Sequence, residues 1–257
     1  MIATVIAAAQ SISVPGDTEA NVQEHLRFIT AAHAAGVQML VFPELSLTGY
    51  ELPLMQRCLL HPDDEALAPI RALVRQTGMV VTVGAPVAPA DASAHTLPAI
   101  GAITFHPDGS AVVYRKHHVH SSEASFASPG PQATSVISLG LETVGQAICA
   151  DIGQATHAAL AAQAGATLYL AGVLVSEAGY AKDSAALQQY AQIHGMGTLM
   201  ANHGGPSGDY ISAGKSAFWA PGGDLVVAAP GVGAWLVIAS MHNTTAPIQW
   251  TGEAIRL

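Results

Sequence analysis

Positive charge is scarce in this chain. Lys and Arg together number 9 among 257 residues, and there are only three lysines, Lys116, Lys182 and Lys215. A formal net charge of −9 without a basic stripe leaves nothing to neutralise a phosphate backbone or an anionic lipid surface. Nucleic acid and membrane are therefore excluded as partners. Cysteine is scarce too, and Cys58 and Cys149 alone make no disulfide framework. Long apolar runs are missing. The opening "MIATVIAAAQ" lacks a basic flank and is too short to span a bilayer, and nothing later approaches the roughly eighteen apolar residues a span needs. "NTT" at Asn243 matches a glycosylation acceptor, which carries no weight without a secretory signal. These absences predict a soluble, cytoplasmic protein.

Apolar bulk is what the chain has. Hydrophobic residues make up 50% and charged residues 11%, enough for a large core. So little surface charge also predicts contacts between copies, as a homodimer or higher homo-oligomer. Strand-like and helix-like segments alternate. "ATVIAAA" precedes "DTEANVQEHLRFITAAHAAG", where Val22, Leu26, Ile29 and Ala32 recur at helical spacing between a capping Asp17 and a terminating Gly36. "VQMLVF" reads as a strand buried on both faces, "DDEALAPIRALVRQTG" as a helix, and "HPDG" as the turn of a hairpin. No linker or repeat interrupts the pattern. The expectation is one domain over residues 1–257, an α/β sandwich of two mixed sheets with helices on their outer faces. Residues 240–257 read as an irregular tail that docks on a partner subunit.

Three strand ends carry ionisable groups. Glu44 follows the buried run in "LVFPELSLTGYE", and Pro43 turns the chain out of the sheet there. In "VVYRKHHVHSSEASF", Lys116 ends a strand and Glu123 follows seven residues on. In "VGQAICADIGQ", Cys149 stands between a strand and the helical "QATHAALAAQAG". A helix dipole at such a turn favours a thiolate, yet unpaired cysteine is among the residue types most often buried, so spacing alone favours an inert core thiol and leaves the nucleophile reading open. The carboxyl ends of strands are where sites gather in open α/β sheets, so a carboxylate, an ammonium and a thiol at three such ends point to chemistry.

"FPELSLTGYE", "YRKHHVHSSEASFASPG" and "ICAD", in this order, resemble the signature segments of the nitrilase superfamily of carbon–nitrogen hydrolases. The "AAAQ" start and the "MAN" strand fit as well. The resemblance implies an αββα sandwich, usually dimerised, that needs no cofactor and no metal. It implies Glu44 as general base, Cys149 as nucleophile, Lys116 as the lysine and Glu123 as the second glutamate. The chemistry explains each type: a thiol needs a base to attack a carbonyl carbon, and the oxyanion needs donors, here Lys116 and the Ala150 N–H. The implied reaction is hydrolysis of a small linear amide through a Cys149 thioester, releasing ammonia or an amine. Nitrile hydrolysis, or a catalytically silent binding protein of the same fold, are the alternatives.

Two departures from the family pattern bear on substrate. The chain has "CADIGQATH" where many members place an arginine or aromatic after the cysteine, and "YAQIH", Tyr190 to His194, where many have "RAxEN". With Lys116 committed to the oxyanion and the other lysines outside the signature segments, the expected pocket takes an uncharged compact amide. Its expected lining includes Tyr50, Gln154 and Tyr180, with Lys215 the first alternative cation. The run "HHVH" places His118 and His120 on one strand face, but no ligand-spaced carboxylate or thiol accompanies them, so packing and hydrogen bonding are expected rather than a metal. "GDYISAGKS" fails as a phosphate loop because Asp209 occupies the first glycine position.

Overall fold

The structure, a computed structural model, describes residues 4–90, 96–132, 135–242 and 249–257, so the sequon at Asn243 lies outside the described residues. Strand β1 (Val5–Gln10) shows how the layers arise. Its side chains alternate, sending Ala7 and Ala9 into one core and Ile6 and Ala8 into another. Helix α1 (Thr18–Ala34) begins where the Asp17 carboxylate accepts the Ala20 N–H, and the chain reverses at Gly36 with φ 74°. After β2 (Met39–Val41), the helix expected from Asp63 starts as a 3₁₀ turn, and α2 (Ala68–Thr77) carries a proline in its first turn. Strands β3 (Val80–Val87), β4 (Ala99–Phe105) and β5 (Ala111–Arg115) follow, the last two joined at "HPDG".

The second half repeats the alternation. Strands β6 (Val136–Leu139) and β7 (Glu142–Ile148) lead to α3 (Ala155–Gln163), β8 (Leu168–Val173), α4 (Glu177–His194) and β9 (Gly197–Asn202). The chain closes with β10 (Ala217–Trp219), β11 (Leu225–Ala228), β12 (Trp235–His242) and β13 (Gln249–Arg256). Two sheets result, ordered β13-β12-β1-β2-β3-β4-β5 and β11-β10-β9-β8-β7-β6. Phe28 and Ile29 of α1 and Ile70 and Val74 of α2 pack on the outer face of the first sheet. Ala158 and Ala161 of α3 and Leu187 and Ala191 of α4 pack on the outer face of the second. Met39, Val41, Leu168, Leu170, Leu199 and Phe218 fill the space between the sheets. The layering is αββα.

One expectation is corrected. The described part of residues 240–257 is not an irregular tail: β12 runs to His242, and β13 pairs antiparallel with it, Ser240 opposite Thr251. Trp250 and Ala254 share one face of the strand and pack against the intersheet core. No described helix is long and apolar enough to cross a membrane.

Candidate active site

Strands β1, β2 and β3 run parallel, as do β7, β8 and β9, so each sheet gathers several carboxyl ends at one edge. Glu44 follows β2, Lys116 follows β5, and Cys149 follows β7. The sandwich brings the three together. Lys116 Nζ donates to Glu44 Oε1 at 2.6 Å and to Glu123 Oε1 at 2.6 Å, with all three side chains removed from water. Glu123 is held in turn: its Oε1 accepts the Tyr50 hydroxyl at 2.5 Å and its Oε2 the His120 N–H at 2.7 Å. Glu44 Oε2 keeps no hydrogen-bond partner among the described residues.

Cys149 sits at φ 42°, a left-handed conformation uncommon outside glycine, at the start of a 3₁₀ turn, Cys149–Gly153. Two struts hold that turn. Asp151, fully buried, accepts the Ile148 N–H at 3.0 Å, and the Tyr190 hydroxyl donates to the Ile152 carbonyl at 2.7 Å. The tyrosine standing where the family pattern has an arginine is therefore a brace under the turn that begins at Cys149. Sγ faces the Leu174 carbonyl at 3.7 Å. Cys149 opens into a cavity of about 320 Å³ whose lining includes Tyr50, His120, Glu123, Ala150, Gln154 and Tyr210.

Charges in this site weigh on one another. Burial pushes the Glu44 carboxyl up to about 7; Lys116 opposes the rise and Glu123 adds to it. Burial works against the Lys116 ammonium, but Glu44, Cys149 and Glu123 outweigh it and keep the lysine protonated. Burial and the Glu44 charge push the Cys149 thiol well above its usual range, with Lys116 opposing. The helix dipole is therefore not the main influence on this thiol. The helical turn at Cys149 is short, α3 begins only at Ala155, and desolvation beside a carboxylate dominates.

Of the predicted lining residues, Tyr50, Ala150 and Gln154 reach the cavity. Tyr180 does not. Its hydroxyl donates to the Lys215 carbonyl at 2.9 Å, and Gly179 occupies the wall instead. Lys215 is spoken for, ion-paired with Glu177 at 2.6 Å. The cation at the cavity is Lys182, and beside it stands Asp183. Both escape a sequence reading because their helix lies outside the signature segments. The premise of a cation-free pocket is corrected.

The "HHVH" run is also rearranged. β5 ends at Arg115, so His118 and His120 share no strand face. His118 Nδ1 meets Asp151 Oδ1 at 3.1 Å, His120 Nδ1 meets Ser122 Oγ at 2.8 Å, and His117 stacks on His118. Among the described residues no group of His, Cys, Asp and Glu has a metal-binding arrangement.

Residues 4–247 match the carbon–nitrogen hydrolase family, and the chain belongs to it. A nitrilase from Pyrococcus abyssi is 27% identical over 139 residues, which span 52% of this chain and 51% of the relative; the chain thus matches about half the length of that curated protein. Solved structures share the fold. A Cys→Ala variant of the Nesterenkonia AN1 amidase, from the nitrilase superfamily, superposes with a TM-score of 0.83 at 23% identity, covering 93% of this chain and 91% of that one. The same variant in complex with butyramide gives 0.82 at 23% identity, covering 92% and 90%.

Proposed function

We propose that the protein hydrolyses the carbon–nitrogen bond of a small linear amide through a thioester on Cys149. The observation that carries this reading is the buried Glu44–Lys116–Glu123 cluster set against a strained cysteine at the floor of a cavity. Burial and the Glu44 charge favour the neutral thiol in the resting site. As Sγ attacks the carbonyl carbon, its proton passes to Glu44, whose Oε2 is free and whose affinity for protons is raised. Lys116 and the Ala150 N–H hold the oxyanion. Glu44 returns the proton to the departing amine, then takes one from the water that cleaves the thioester. Glu123, fixed by Tyr50 and the His120 N–H, positions the Lys116 ammonium.

A nitrile would meet the same thiol and the same proton donor. The names of the relatives support both readings, one a nitrilase and the other an amidase seen with butyramide. The amide is preferred because the solved structures that share the fold over more than nine-tenths of this chain are of an amidase, one of them holding butyramide. A panel of short amides and nitriles scored by ammonia release, run beside Cys149→Ala, tests the reading. Amide turnover absent from the alanine variant supports it, and turnover of nitriles alone overturns it. Association of copies belongs to the same proposal, supported by the exposed Leu160 on α3 and Ile193 on α4.

A further inference from the structure

The cavity wall carries a charge that the hydrolytic steps do not use. Asp183 on α4 is half-buried and lines the cavity, and its carboxylate makes no hydrogen bond or ion pair among the described residues. It reaches back along the start of α4. A Cβ built on Gly179 would lie 3.6 Å from Asp183 Oδ2, 3.6 Å from Val175 Cγ1 and 3.8 Å from Ser176 Oγ, so the bare glycine leaves open a space that the two oxygens and a valine methyl border. Ser176 caps the helix without using its side chain, and its hydroxyl is likewise without a partner among the described residues. Two acceptors therefore face one gap in the wall of the nucleophile's cavity.

A half-buried carboxylate without a partner is costly, and a cation would satisfy it. Partial burial raises its carboxyl above the usual range, and the charge of Lys182 opposes the rise. Lys182, the other free charge on the wall, is exposed to water and loses nothing unpaired. The surrounding charge also favours a cation, since Glu44, Glu123 and Asp183 stand against Lys116 and Lys182 on a chain of net charge −9.

We propose that Asp183, with Ser176, binds a protonated amine on the substrate, so that the preferred substrate is a short amide bearing an ammonium group. The assignment rests on the amide-hydrolase reading above. It makes Asp183 a specificity-determining residue.

The test compares three amides of equal length: that of an ω-amino acid, the plain alkyl amide, and the monoamide of a dicarboxylic acid. Each is measured by kcat/KM on the intact protein and by calorimetric affinity on Cys149→Ala. A charge-assisted contact predicts a preference for the aminoamide over the alkyl amide of about 10- to 100-fold, lowered about tenfold or more in Asp183→Asn. Equal treatment of the aminoamide and the alkyl amide overturns the proposal, as does preference for the acid monoamide or a preference that survives Asp183→Asn. The two readouts separate the readings. Selective binding to Cys149→Ala without turnover of any amide keeps the ammonium site and removes the hydrolase reading. Turnover of all three without preference removes the site alone.

Discussion

Asp151 ties His118 to the strand that ends at Cys149. The backbone N–H of His118 donates to Asp151 Oδ1 at 2.8 Å, while Asp151 Oδ2 accepts the Ile148 N–H at 3.0 Å and the Tyr114 hydroxyl at 2.6 Å. One buried carboxylate thus spans two strand ends, the loop that follows Lys116 and the turn that begins at Cys149. The network continues inward, from the Tyr114 hydroxyl to His157 and from His157 to the Tyr169 hydroxyl. The relative placement of lysine and cysteine is set by this tie as much as by the sheets.

Asp151→Ala therefore orphans two backbone N–H groups, those of Ile148 and His118, and leaves the Tyr114 hydroxyl with His157 as its remaining partner. An unsatisfied buried donor costs about 1–3 kcal/mol, so the variant should lose on the order of 3–5 kcal/mol of stability and at least tenfold in kcat. Tyr114→Phe removes one donor and should cost only about 1 kcal/mol. Urea unfolding and steady-state kinetics measure both. Unchanged stability in Asp151→Ala would mean that the tie carries no weight.

The raised carboxyl of Glu44 sets a pH profile. Glu44 must be ionised to take the thiol proton, and its carboxyl is pushed up to about 7, burial being the largest cause. The value kcat/KM should therefore rise with pH and level off above about 7. Linkage runs the other way. The folded protein holds this proton more tightly than the unfolded chain, so the group's contribution to stability is present below its ordinary range and lost as pH rises through about 7. Alkylation by a haloacetamide gives a readout independent of turnover. Cys149 labelling should follow the same rise and slow in Glu44→Gln, while Cys58, outside the cavity, labels at an unchanged rate. A flat labelling profile at Cys149 would remove Glu44 as the base.

Much of this site was legible because Glu44, Lys116, Glu123 and Cys149 each lie in a short segment whose pattern survives reading one residue at a time. Their companions are legible only in three dimensions. Asp151 looks like a surface carboxylate beside the cysteine until His118 and Tyr114, from a distant loop and strand, are brought onto it. Lys182 and Asp183 look like the solvated side of α4, and only the packing of that helix turns them toward the cavity. Tyr180 and Gly179 are neighbours, and nothing in the sequence told which would form the wall. The fold was legible where apolar runs are long. Strand β6, four residues with alternate exposure, and strand β13, with three apolar residues in eight, gave too little signal.

Glycine decides whether Glu44 can be where it is. The turn after β2 is squeezed between the sheets: a Cβ at Gly84 of β3 would lie 2.3 Å from the Pro43 carbonyl oxygen and 2.4 Å from the Leu45 nitrogen. On the other side, a Cβ at Gly172 of β8 would lie 2.6 Å from the Phe42 carbonyl oxygen. The turn is already strained, with Leu45 at φ 52°, and it is pinned to Gly84 by two bonds. The Gly84 N–H donates to Ser46 Oγ at 3.0 Å, and the Leu47 N–H donates to the Gly84 carbonyl at 2.9 Å. The obstructing atoms are backbone, which cannot swing aside as a side chain can, so Gly84→Ala must push the whole turn away. Overpacking of this kind costs about 1–3 kcal/mol, and a displacement of about 1 Å at a reacting group costs about a hundredfold in rate. We expect Gly84→Ala to fold with a lowered melting temperature and to lose activity far beyond its loss of stability. Gly231→Ala, whose added Cβ meets nothing within 4 Å, serves as the control that any glycine replacement must pass. Activity in Gly84→Ala comparable to that control would show that the turn can yield without moving Glu44 off Lys116.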